Sequence, residues 1–316
     1  MLTVNVLLFN LYLITIKVSF LYLLKIFFMN RITLLNFLKI SSFFIFFGRA
    51  YQHLFWDAPY RSLFWDQQLL EPIVNFFFNT SWHEYATNLN TDHAIQFLTR
   101  SIGVLYTFCA IISLTINKHS KKWEYIVLKI GAVSMILLAL IITKEKFYHL
   151  IMFFEHTIQF GVPIVLLYYL KNENTALLIF NVKIFIALAF ICHGMYAVAI
   201  FYPLPGNFVT MTLNILPVTE TTAKNLLFIA GILDFIIAIT LFVPKISKIA
   251  LIYASFWGFI TAFARIVSGL SYDVSFSILH QYMYLVIFRL PHGLIPLLVY
   301  MYISKRNAGK SITVIV

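Results

Sequence analysis

The stretch TETTAKNLLFIAGILD, residues 219–234, has a looser counterpart upstream, TDHAIQFLTRSIGVLY at 91–106. At one constant offset Thr91-Asp92 falls on Thr219-Glu220, and the run from Gly103 to Tyr106 falls on that from Gly231 to Asp234. Each begins with a hydroxyl and an acid and runs on into apolar sequence. That is the pattern of a helix start, in which the side-chain oxygen accepts from orphan amides and the acid favours the dipole. Thr91, Asp92, Thr219 and Glu220 are therefore expected to cap helices. The match extends outward: FFGRAYQHLFWDAPY (46–60) corresponds to ICHGMYAVAIFYPLP (191–205), with Gly48 on Gly194. Downstream, FGVPIVLLYYLK (160–171) corresponds to HGLIPLLVYMYISK (292–305), with Pro163 on Pro296. A chain that repeats at this scale is built from two copies of one unit.

The composition says what solvent surrounds those units. Hydrophobic residues make up 61% of the chain and charged residues 11%, with 33 Phe and 18 Tyr. The mean hydropathy is +0.88. Soluble domains carry about a quarter charged residues, so this chain belongs in a bilayer. A spanning helix needs about 20 apolar residues, and eight such runs follow in order: 32–56, 94–117, 123–143, 147–170, 175–202, 223–243, 249–271 and 275–303. The expected fold is all-α, a polytopic membrane protein of eight transmembrane helices. A first four-helix unit spans 29–172 and a second spans 173–316. An even number of helices per unit makes the repeat parallel, with its axis along the membrane normal.

The net charge of +11 does not signal nucleic acid, because the Lys and Arg residues sit in short connectors and no Gly-rich phosphate loop is present. KHSKK (118–122), KNEN (171–174), PKISK (244–248) and SKRNAGK (304–310) are mostly basic, whereas 57–93 sets five acids against Arg61 alone. The positive-inside rule then places both ends of the eight-helix body in the cytoplasm, in what reads as a bacterial inner membrane. KEK (144–146) is discordant, being basic and on the outer side. The segment 57–93 has apolar residues grouped as on an amphipathic helix, and with Trp65 and Trp82 it reads as a lid on the outer membrane face. NFVTMTLNIL (207–216) is a shorter version of the same element. Residues 1–28 form a ninth apolar run, either an extra helix or an artefact of translation beginning at Met29; the run lacks the cleavage site of a signal peptide.

The string HGMYAVAIFYPLPGNFVTMTLNILPVTETTAKNLLFIAGILDF (193–235), followed by WGFITAFAR (257–265), resembles the DoxX/DoxD-like family of four-helix membrane proteins. The resemblance covers residues 190–303, and it reaches the first half only through the internal repeat. It implies a small membrane subunit of the kind associated with quinol oxidase or thiosulfate:quinone oxidoreductase activity.

Charge at membrane depth is costly and faces the bundle interior or water. Two carboxylates lie deep, Glu155 and Asp234. Arg49, His53, Arg100, His156, His193, Arg265, Arg289 and His292 complete the candidate ligand-binding set; His149 and His280 lie at the same level. Most belong to the outer half, and cations outnumber acids. A polar cavity open to the outer face, holding a quinone, a lipid or a small organic anion, would account for that excess. Lys39, Lys129 and Lys183 on the inner half can snorkel. Aligning Pro163 with Pro296 puts His156 on Arg289 and Gln159 on His292, and it pairs Glu155 with Arg289 across the axis. Asp234 and Arg265, on consecutive helices about five residues or roughly 7 Å apart in depth, a gap an Arg side chain can span, are expected to form a buried ion pair, with a ligand or proton site at Asp234 as the alternative.

Chemistry beyond binding has thin support. Two deep acids are too few for a di-iron site, and no metal or other cofactor is expected beyond a quinone. Haem b is weighed through His53 and His193 and set below it. Cys109 and Cys192 lie in apolar runs with no CxxC pattern, so they read as buried thiols. The sequence thus points to a non-catalytic membrane subunit with no activity of its own, in contact with lipids and a further membrane subunit. Two alternatives remain. One is a redox or isomerase component using His and Glu or Asp near the midplane; the other is a small-solute transporter.

Overall fold

The computed structural model describes residues 34–172, 175–270 and 275–312. Residues 1–28 and the start at Met29 lie outside them. Helix is the only regular structure among the described residues, in fourteen elements. The first half contains α1 (Leu34–Phe55), then three short helices, α2 (Arg61–Phe64), α3 (Gln67–Phe78) and α4 (Trp82–Thr87). It continues with α5 (Leu89–Thr115), α6 (Lys122–Glu145), α7 (Leu150–Glu155) and α8 (Thr157–Lys171). The second half contains α9 (Thr175–Ala197), α10 (Gly206–Ile215), α11 (Glu220–Thr240), α12 (Ser247–Val267), α13 (Ser275–Ile287) and α14 (Pro291–Ile312).

Six stretches are long and apolar enough to cross a membrane: α5, α6, α9, α11, α12 and the run Phe276–Lys305. α8 is apolar but only 15 residues long. α1 has the length, at 22 residues, but Lys39, Ser41, Ser42, Arg49 and Gln52 interrupt it. It can carry them because it is enclosed: α1 packs against α5 and α8 and also against α13 and α14. α9 likewise packs against α11 and α14 on one side and α7 and α8 on the other. The core runs along these contacts, filled by Phe37, Phe46, Tyr106, Leu128, Ile158, Leu166 and Ile186, each at most 1% exposed. The outward faces carry Phe97, Phe108, Ile130, Ile239 and Ile249, all exposed. Apolar surface of this extent has no place in water.

The lid segment is helical, as its pattern predicts. Asp66 accepts from the Leu69 amide at the start of α3, and Asn79 ends that helix with φ 50°, a conformation Asn tolerates. Phe76, Phe77 and Phe78 project from its end, 82%, 72% and 68% exposed. The KEK connector is held locally: Lys144 Nζ lies 2.5 Å from Asp66 Oδ2 and donates to Ser62 O at 2.6 Å, which ties α6 to the segment between α1 and α5. Capping departs from expectation in the first half. Thr219 does cap α11, accepting from Thr222 N at 3.3 Å. Asn88, however, caps α5, because the preceding short helix delivers the chain there. Thr91 and Asp92 fall inside the helix, and Asp92 accepts from Arg61 Nη2 at 2.7 Å.

Candidate functional site

The polar interior is organised around two helix breaks. α7 stops at Glu155, His156 leaves helical geometry (φ −87°, ψ 3°) and α8 resumes at Thr157. His156 Nδ1 donates to Met152 O at 2.7 Å. Thr157 Oγ1 donates to Phe154 O at 2.7 Å and reaches Phe185 O of α9 at 3.2 Å. Side chains thus take over carbonyls that the ladder has released. In the other half α13 stops at Ile287 and α14 begins at Pro291. The cause there is covalent, since a proline ring clashes with the carbonyl four residues back, which is that of Ile287. Under the alignment of Pro163 with Pro296, the two breaks fall at the same position, His156 against Arg289.

The second break is held close to neighbouring backbone on two sides. A Cβ at Gly48 of α1 would lie 2.6 Å from Phe288 N, and one at Gly258 of α12 would lie 2.4 Å from His292 O. Only glycine admits approaches this short.

Glu155 is the centre of the arrangement. Its Oε1 lies 3.4 Å from Arg289 Nη1 and 3.7 Å from His193 Nε2, so the carboxylate of one half meets a guanidinium of the other, the expected pair. The turn of α12 that carries Arg265 packs against the second break, Ala262 and Ile266 meeting Val286 and Leu290. His292 Nδ1 donates to Arg289 O at 3.1 Å. His292 Nε2 and Arg289 Nε are buried without a hydrogen-bond partner.

Arg49 joins through Phe288, against whose ring its guanidinium carbon sits at 4.1 Å, with that of Arg289 at 5.5 Å. It is 3% exposed. Its Nε and Nη2 donate to Gln159 Oε1 at 3.0 and 2.6 Å, and its Nη1 donates to Gln52 Oε1 at 2.8 Å. His53 lies one turn further along α1, donating from Nδ1 to Arg49 O at 2.7 Å and accepting at Nε2 from Tyr60 OH at 3.0 Å. Both ring nitrogens are taken, and His193 faces Glu155; as placed, the two do not offer the open pair that a bis-histidine haem requires. Among the described residues no three His, Cys, Asp or Glu side chains converge as a metal site.

Seven of the ten candidates therefore gather in one cluster: Arg49, Glu155, His156, His193, Arg265, Arg289 and His292. His53 flanks it. Arg100 does something else: its Nη1 donates to His53 O at 2.6 Å and Trp56 O at 2.9 Å, closing the C-terminal end of α1. Asp234 corrects the sequence-based expectation. It makes no pair with Arg265; its Oδ1 has no hydrogen-bond partner, and Arg265 Nη1 instead donates to Thr261 O on its own helix. The reason is depth. Asp234 lies six residues before the end of α11 and Arg265 eighteen residues into α12, so the two differ by twelve residues, about 18 Å along the axis, in distance from the shared connector. Gln159, Gln52 and Phe288 were missed as site residues. Gln159 had a signal, a polar residue aligned with His292 in an apolar run, whereas nothing in the sequence marked Phe288.

Comparisons with known protein families, with curated proteins and with solved structures gave no match.

Proposed function

We propose that this chain is an integral membrane binding protein. It holds an anionic or carbonyl-rich head group, from a quinone, a lipid or a small organic anion, at the junction of two parallel DoxX-like four-helix copies. The observation that carries this reading is the imbalance around Glu155: two buried guanidiniums, of Arg49 and Arg265, and the partly buried one of Arg289 stand against one carboxylate, with Arg289 Nε left unpartnered. A bilayer-spanning protein tolerates buried charge where it serves a ligand or a partner.

The tandem architecture draws support from two sides. The first helix of each half packs on the broken fourth span of the other, α1 on α13 and α14, α9 on α7 and α8. The breaks themselves fall at aligned residues. In this reading the eight spans include α1 and the α7–α8 pair, residues 29–172 and 173–316 are the copies, and the lid lies on the outer face of a bacterial inner membrane. The termini of the eight-helix body are cytoplasmic. The protein works as a non-catalytic subunit among lipids and a second membrane subunit. A proton-transfer role for Glu155 and His193 is the second reading, favoured by their 3.7 Å separation.

The test is thermal unfolding of the detergent-purified chain with a short-chain quinone, an anionic lysolipid or a zwitterionic lysolipid added in turn. Stabilisation by the anion or the quinone, absent with the zwitterion and lost in Arg289→Gln, is the expected result. Equal response to all three overturns the proposal.

A further inference from the structure

We infer that the head group bound at this junction is a phosphate monoester, whose doubly charged form matches the uncompensated charge of the cluster. The inference rests on the binding role proposed above and narrows it to one chemistry.

The argument is a charge inventory. Arg49 has all its observed acceptors on the neutral amides of Gln52 and Gln159. Arg265, 9% exposed, finds a backbone carbonyl on its own helix. Arg289 shares Glu155 with His193 and keeps Nε without a partner. The three guanidiniums are brought to one region: those of Arg49 and Arg289 both lie over the Phe288 ring, and the turn of α12 that carries Arg265 packs through Ala262 and Ile266 against Val286 and Leu290, either side of Arg289. Asp234, the other deep acid, lies on α11 toward its connector to α12, and its Oδ1 has no hydrogen-bond partner. One carboxylate against three permanent cations leaves an excess of two positive charges in a region with limited access to water. Like charges so placed repel strongly, and guanidiniums cannot relieve the repulsion by losing protons.

A neutral quinone leaves the excess intact, and a phosphodiester or carboxylate halves it. A phosphate monoester carries between about 1.5 and 2 negative charges at neutral pH and presents three terminal oxygens, enough to cancel it. Those oxygens suit the fork geometry of arginine, and Arg289 Nε is a buried donor still to be satisfied. The same chemistry comes from two sources, a lipid head group reaching in from the bilayer or free inorganic phosphate.

The experiment compares ligands on the purified full-length chain in detergent at pH 8. Titrations use a single-chain lysophosphatidic acid, the matched phosphodiester lysophosphatidylglycerol, inorganic phosphate and the short-chain quinone. The monoester is expected to bind at least about tenfold more tightly than the phosphodiester, since one additional charge facing guanidiniums at a few ångströms is worth that much or more. If inorganic phosphate displaces the lysolipid, the site reads the phosphate alone; if it does not, the acyl chain is part of recognition and the source is lipid. Both outcomes support the charge match. Arg265→Gln lowers the excess by one and should bring the ratio toward unity while the protein keeps its unfolding temperature. A phosphodiester that binds as well as the monoester overturns the inference and leaves the binding role standing. Failure of every anion and of the quinone to bind overturns both, and this comparison needs no variant.

Discussion

Gly258→Ala is the sharpest probe of how the site is held. Alanine is the better helix former by about 1 kcal/mol, so in the middle of α12 the substitution would ordinarily stabilise. Here the new Cβ would stand 2.4 Å from His292 O, 2.5 Å from His292 C and 2.7 Å from Gly293 N. All three are backbone atoms, so no side chain can swing aside. α14 has to retreat by about 1 Å to reach ordinary contact, and overpacking of this kind costs about 1–3 kcal/mol. One turn earlier, Ser255 Oγ donates to Gly293 O at 2.9 Å, a bond that the same retreat stretches. The net expectation is a loss of about 1–2 kcal/mol, together with weaker ligand binding, because Arg289 and His292 move with the helix start. The assay is thermal unfolding in detergent, with Gly206→Ala as the control. A Cβ at Gly206 meets nothing within 4 Å, so that variant should be neutral or stabilised. A Gly258→Ala protein as stable as the parent would refute the packing.

Glu155→Gln leaves the partly buried Arg289 without its acid and should cost about 1–3 kcal/mol, partly recovered in the double variant with Arg289→Gln, as double-mutant unfolding would show. Asp234→Asn should cause no loss of stability, since the carboxylate has no cation to lose; a loss that Arg265→Gln repairs would restore the ion pair expected from sequence. The Lys144 ammonium, with the Leu69 amide, holds the Asp66 carboxyl below the usual carboxylate range. Its contribution to lid docking is therefore complete above the ordinary aspartate value and is lost as pH falls through the lowered one. Amide hydrogen exchange in α2 and α3, corrected for intrinsic rate, should quicken only in that acid window, and at neutral pH in Lys144→Gln. Cys109 and Cys192 are free and buried, so a maleimide should label neither until the protein unfolds.

Much of this was legible in the residues. Apolar runs separated by basic or acidic connectors placed the helices, because a spanning segment must satisfy its backbone internally and bury its charges. The lid helices followed from the grouping of apolar residues between 57 and 93. The meeting of Glu155 with Arg289 followed from one alignment and from the rule that a deep acid needs a partner. What failed depended on phase and depth, which one-dimensional counting resolves poorly. Asp234 and Arg265 looked within reach when counted from the outer helix ends, yet Asp234 lies near the connector between α11 and α12 and Arg265 near the far end of α12. Thr91 and Asp92 looked like caps because the short helix ending at Thr87, which hands the chain to Asn88, has too few residues to announce itself. Phe288, between two guanidiniums, was one Phe among 33. Its role comes from α1 crossing at Gly48, a contact between halves that no local pattern encodes.

The most direct measurement is native mass spectrometry of the chain released from mild detergent, with organic extraction of whatever travels with it. The account predicts a stoichiometric adduct with an anionic head group, retained by the parent and lost from Arg289→Gln. Protein that arrives bare, with its fold intact and the three arginines unaccompanied, would contradict it.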